Sequence, residues 1–149
     1  MTDVLFYHLE RRSLEQVLPG LLEISLKRGW KVVVQTGKPE RVEELNALLW
    51  TFREDSFLPH GTEKDGHGAD QPIWLTNGSD TPNGAKVRFL VDGADLAQAR
   101  GLDRAVFLFN GNNEPETAQA RIAYKQALEA GHEVTYWRQS PQGKWEKQN

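Results

Sequence analysis

Short apolar runs alternate along this chain with segments whose apolar residues recur every three or four positions. Residues 4–9 form a compact apolar run suited to a strand covered on both faces. Ser13 and Gln16 have capping-box spacing, and Leu14, Val17, Leu18, Leu21, Leu22 and Ser25 follow at helical intervals. A first helix is therefore expected, with Pro19 inside it as a kink point and a stop at Lys27, Arg28 and Gly29. Residues 31–35 are a β-branched run between Gly29 and Gly37, and Pro39 is placed for the first turn of a second helix. In that helix Val42, Leu45, Leu49 and Phe52 form the apolar stripe, and Trp50 lies roughly 100° round from Leu49, off its centre. Periodicity is lost over 54–72, rich in Gly, His, Asp and Pro, which predicts a surface loop. A short strand at 73–76, turn chemistry at 77–85, a strand at 86–91, a short helix at 96–102 and a buried strand at 104–110 follow. Asn113 with Glu116 caps a long helix running to Ala130 before Gly131, and 133–138 is the last strand.

Strands alternating with helices across short connections predict one α/β domain over residues 1–149, a three-layer, Rossmann-like, mostly parallel sheet with helices on both faces. The class invites a nucleotide, but the turn after the first strand is Glu10-Arg11-Arg12-Ser13, with no glycine to bring a pyrophosphate against the backbone. Thr36-Gly37-Lys38-Pro39 has the end of a Walker loop without its upstream glycine, and Pro39 stands where a magnesium-binding hydroxyl is needed. No phosphate-binding loop is expected.

Composition narrows the reading further. The length of 149 residues suits a single core, and the absence of cysteine removes disulfides, thiolate nucleophiles and cysteine-bound metals together. A net charge of −3 argues against a polycationic grip on nucleic-acid phosphates by the whole surface, so DNA contact is expected to be indirect or local. Residues 1–10 lack an apolar signal-peptide core, and nowhere is there a run of about 18 apolar residues, so the expected location is cytoplasmic with no membrane partner. His60, His67, Glu63, Asp65 and Asp70 have the donor types of a metal site but not its tight spacing, and no serine sits in a Gly-x-Ser-x-Gly elbow. His8 and His132 read as hydrogen-bonded structural histidines. Neither catalysis nor a cofactor is expected.

Two surfaces carry binding chemistry. On the long helix, Arg121, Tyr124, Lys125 and Leu128 share one face, while Ala120, Ala123, Ala127 and Ala130 share another, suited to close packing on the sheet. Two cations, a ring and an aliphatic side chain suit a peptide with acidic residues and an apolar end; a solvated helix face has the same composition. Trp137, Arg138, Lys144, Trp145 and Lys147 add basic and aromatic residues that either line the same pocket or cover the last strand. The second surface is the segment from Trp50 through Phe57, Leu58, Pro59 and His60, where large apolar residues gather at and beyond a helix end, as a satellite core or as an interface.

Through Phe6-Tyr7, Leu49-Trp50, Ser56-Phe57-Leu58-Pro59-His60, and Arg121 with Tyr124-Lys125 before Ala130-Gly131, most of the chain resembles the chi subunits of bacterial DNA polymerase III holoenzyme. These are small accessory proteins attached to the clamp loader. The resemblance implies a non-enzymatic α/β protein that tethers the clamp loader to the acidic, Pro-Phe-ending tail of the single-stranded-DNA-binding protein. Arg121, Tyr124 and Lys125 match the family's tail-binding positions, with Leu128, Val134, Tyr136 and Trp137 as further pocket residues. Thr117 stands where the family can carry another lysine. Trp50, Phe57, Leu58 and Pro59 match the surface for the psi subunit, or for another clamp-loader or helicase partner. Two other readings are a Rossmann-like small-molecule or nucleotide-binding enzyme, and direct single-strand binding through Trp137, Trp145 and the C-terminal lysines.

Overall fold

A computed structural model describes residues 2–51, 58–96 and 101–148. Strands β1 (Asp3–Leu9), β2 (Val32–Thr36), β3 (His60–Thr62), β4 (Ile73–Thr76), β5 (Val87–Val91), β6 (Arg104–Asn110), β7 (Glu133–Gln139) and β8 (Trp145–Lys147) make one sheet in the order β3-β4-β2-β5-β6-β1-β7-β8. Every pairing is parallel except that of β7 with β8. Helices α1 (Leu14–Lys27), α2 (Arg41–Thr51) and α3 (Glu114–Glu129) provide the outer layers. The expected α/β architecture is the one observed.

The helix signals act as read. Ser13 Oγ accepts from the Gln16 N–H at 3.3 Å while the Gln16 side chain accepts from the Ser13 N–H at 2.8 Å, which satisfies two otherwise orphaned donors. Helix α1 runs unbroken through Pro19 to its cap at Arg28, and Gly29 follows at φ 81°, a conformation open to glycine. At α3, Asn113 accepts from the Glu116 N–H, but the Glu116 carboxylate turns to the N–H of Asn110, tying the helix to the end of β6 rather than closing the box on its own cap.

Each face of the sheet has its own cluster. Leu18 and Leu22 of α1 and Leu45 and Leu49 of α2 pack with Val32, Val34, Ile73, Leu75 and Val106 on one face. Ala120 and Ala127 of α3 pack with Val4, Phe6, Phe107 and Phe109 on the other, small side chains letting the helix sit close to large rings. Beyond the reach of α3 that second face carries Val33, Trp74 and Ala85. There a loop does the covering: Asp80 accepts from Trp74 Nε1–H at 2.7 Å and Thr76 Oγ1–H at 2.6 Å, and buried Arg88 donates to Gln35, Thr81 and the carbonyls of Gly78 and Asp80.

Several expectations change. The stretch 54–72 contains the edge strand β3 and a 3-10 turn at Gly68–Asp70, and the strand at 133–138 is followed by β8. Both added strands are three residues long, too short for a periodic signal, and take their conformation from pairing. Helix α2 starts at Arg41, two residues after Pro39. The helix expected at 96–102, and Phe52 of the α2 stripe, fall wholly or partly outside the described residues.

Candidate functional site

Helix α3 lies beside β7, and the residues facing the groove between them are selected by two periods at once. Along α3, Arg121, Lys125 and Leu128 are exposed and Tyr124 is half-buried. Along β7, Val134 and Tyr136 turn to the same side, because alternate residues of a strand share a face. The Tyr124 ring sets its edge on Phe6 at 5.5 Å and on Tyr136 at 6.1 Å, so the aromatic floor is continuous with the core. Arg121 is near enough to Tyr136 to favour its ionised form, although burial dominates and raises the Tyr136 pKa. Neither Arg121 nor Lys125 is in an ion pair among the described residues, so both cations are available to an incoming anion.

The end of this groove holds residues that sequence reading set aside as structural or grouped elsewhere. His8 Nδ1 hydrogen-bonds the Tyr136 hydroxyl, its Nε2 lies 3.3 Å from Glu10, and Glu10 pairs with Arg138. Burial lowers the His8 pKa despite the opposing pull of Glu10. Gly111 is required beside this ring, since a Cβ there would lie 2.0 Å from His8 Nε2. Strand alternation, which places Arg138 with Tyr136 and Val134, was the signal that could have found it. Thr117 spends its hydroxyl on the carbonyl of Asn113 at 3.0 Å in the first turn of α3. His132 Nδ1 faces the Thr2 N–H at 3.4 Å, in keeping with a structural role.

Trp137 does not join this group. One step along β7 from Tyr136 is one step to the opposite side of the sheet, where Trp137 stacks with Tyr7 at 6.3 Å and shares a groove with Trp145. Its expected place in the tail pocket is corrected accordingly.

The second expected surface is divided. Trp50, at the end of α2, is 55% exposed and sets its ring 4.8 Å from that of His60. Leu58 is 2% exposed and packed in the α1–α2 core, so it anchors the segment and offers no surface to a partner. Pro59 is half-buried, and Phe57 lies outside the described residues. The His60 ring is held inward between the carbonyl oxygens of Leu58 at 2.5 Å and Asn46 at 3.2 Å. Asp65 turns to the N–H and hydroxyl of Thr62. Among the described residues no three histidine or acidic side chains converge as a metal would require.

At the C-terminal ends of β1 and β6, where an open α/β sheet usually takes its ligand, the crevice is lined by the carboxylates of Glu10, Glu15, Asp92 and Glu116 alongside arginines. Arg41 is consumed there by Asp92 at 3.1 Å, Glu44 at 2.8 Å and Glu15. Those acids oppose a nucleotide phosphate. No helix among the described residues is long and apolar enough to cross a membrane.

A family model described as DNA polymerase III chi subunit, HolC, matches residues 1–135. A protein of Rickettsia prowazekii (strain Madrid E) named probable DNA polymerase III subunit chi is 31% identical over 98 residues, 66% of this chain. The match spans 59% of that relative's length.

Proposed function

Since the chain belongs to the DNA polymerase III chi family, we propose that it is a non-catalytic accessory subunit of that polymerase, holding the C-terminal tail of the single-stranded-DNA-binding protein in the groove between α3 and β7. The observation that carries this reading is the convergence of Arg121 and Lys125, in no ion pair among the described residues, with the half-buried ring of Tyr124 and the apolar side chains of Val134 and Leu128. Guanidinium and ammonium groups attract the tail's carboxylates, and the adjoining aromatic and aliphatic surface receives its terminal phenylalanine. Exposed Trp50, beside Pro59, is the proposed contact for psi or another clamp-loader or helicase partner, and Leu58 supports it from within. These partners link the subunit to DNA at the replication site, and multivalency raises a modest affinity for each.

Calorimetric titration with the tail peptide, and with a version lacking its last phenylalanine, tests the reading. Binding should require the phenylalanine, weaken as salt rises, and fall about tenfold for Arg121→Ala, the loss typical of one charged hydrogen-bonding partner. Equal binding of the two peptides, or none of either, would overturn it. Trp50→Ala should leave the peptide affinity intact while removing psi from a pull-down with purified clamp-loader subunits.

A further inference from the structure

The sheet face opposite α3 is incompletely covered. Helix α1 leaves β1 toward β2 and packs chiefly on β2 and β6, covering Leu9 at the end of β1 and leaving the β7–β8 edge less covered on that side. What remains between α1 and the β7–β8 hairpin is a groove of about 530 Å³. Two of the residues lining it, Trp137 and Trp145, lie beyond residue 135, outside the stretch matched to the family.

Flat rings dominate one end. Tyr7 and Trp137 stand in register on neighbouring strands with planes 16° apart, and Trp145 meets Tyr7 edge-on at 4.9 Å. Trp137 Nε1–H donates to Thr135 Oγ1 at 3.1 Å, which fixes the indole before any ligand arrives. Cations dominate the other end: Arg28 and Arg104 hold their guanidinium carbons 5.1 and 5.0 Å from the centroid of Trp30. Arg104 has Asp3 at 3.8 Å and Glu133 lies at the rim, whereas Arg28 makes no ion pair among the described residues. Lys147 pairs in register with Trp137 and so shares its face. Two cations and two carboxylates line the groove, and Lys147 on the Trp137 face adds a third cation beside the rings.

We propose that this groove binds single-stranded nucleic acid directly, bases stacking on Trp137 and Trp145 and phosphates meeting Arg28 and Lys147. Every base offers a π-face to an indole, and extended backbone phosphates pair with cations at the rim, so recognition is tolerant of sequence. The groove lies across the sheet from the tail site and stands independently of that reading. The net charge of −3 is compatible with it because the cations are local to this face.

Anisotropy titration of the full chain with a short labelled oligo-dT tests the proposal. Binding should weaken with salt at a log–log slope of about −1.4, the value for two phosphate contacts on a single strand. Trp137→Ala should weaken it roughly tenfold, the order expected for one stacking platform. Arg28→Glu, an exposed change at a helix end, should weaken it with only a slight fall in melting temperature, which keeps the test valid if Trp137→Ala misfolds. Among the five indole N–H resonances, those of Trp30, Trp137 and Trp145 should shift on adding oligo-dT and those of Trp50 and Trp74 should not. Absence of saturable binding, binding indifferent to Arg28→Glu, shifts confined to Trp50, or displacement of oligo-dT by an acidic apolar peptide that shifts the same three indoles would each overturn it.

Discussion

Tyr136 and Trp137 are neighbours in sequence and belong to different surfaces. On the Tyr136 side the ring is surrounded by Tyr124, Phe109 and His8, its hydroxyl is bonded, and helix α3 roofs the cluster. The cations and Leu128 on the outer part of α3, with the half-buried side chains of Tyr124 and Val134, remain for a ligand. On the Trp137 side the Tyr7 ring meets both Trp137 and Trp145, and an open groove separates them from α1. The contrast comes from crossover direction. Helix α3 connects β6 to β7 across β1 on one face, whereas α1 leaves β1 the other way on the opposite face, so among the described residues α3 roofs one side of this sheet edge and α1 borders the other. A single strand can therefore serve an interlocked site and an open platform by alternation alone.

The largest effect that separates the two sides is expected from Phe6→Ala. Phe6 is fully buried, stacks on Phe107 at 4.7 Å and supports Tyr124, so its truncation should cost about 3–5 kcal/mol, read from the urea midpoint. Trp145→Ala on the open side should cost only about 1 kcal/mol. Equal losses would mean that both sides are core. Gly111→Ala comes next: the new methyl must displace His8 from Tyr136, and the cost should be about 1–3 kcal/mol, with the His8 ring resonances moving by NMR.

A smaller effect is expected from acid. Because burial lowers the His8 pKa in the folded protein, the unfolded chain takes up that proton first. Stability from neutral His8 is present in full above about pH 6.5 and declines as the pH falls toward the folded-state value. Glu10 and Arg138 beside the ring act in opposite directions on this titration. Thermal melts from about pH 7 to about pH 5 should show a steeper decline for the wild type than for His8→Gln; parallel curves would remove His8 as the cause. The smallest change should come from the double variant Arg121→Ala with Lys125→Ala. Both residues are exposed and outside any ion pair among the described residues, so stability should stay within about 0.5 kcal/mol even as peptide affinity falls.

Much of this molecule is legible from local chemistry. The caps at Ser13 and Asn113, the stop at Gly29 and the apolar runs of β1 and β6 are read from neighbours in sequence, and together they specify an α/β sheet, although β1 is more deeply buried on the face of Val4 and Phe6 than on the other. The spacing of Arg121, Tyr124 and Lys125 puts the candidate tail-binding side chains on one helix face by geometry alone. Other features required the assembled sheet. Strands β3 and β8 carry no period of their own and exist through their pairing partners. Leu58 looks like surface in an aperiodic stretch but fills the core under α1 and α2, and the His60 ring sits between the nearby carbonyl of Leu58 and that of Asn46 in α2. Alternation along β7 was readable throughout, so Tyr136 and Trp137 had to part. Which of them would be roofed and which left open depended on where the crossovers carried α1 and α3, a choice made by long-range packing across the whole sheet.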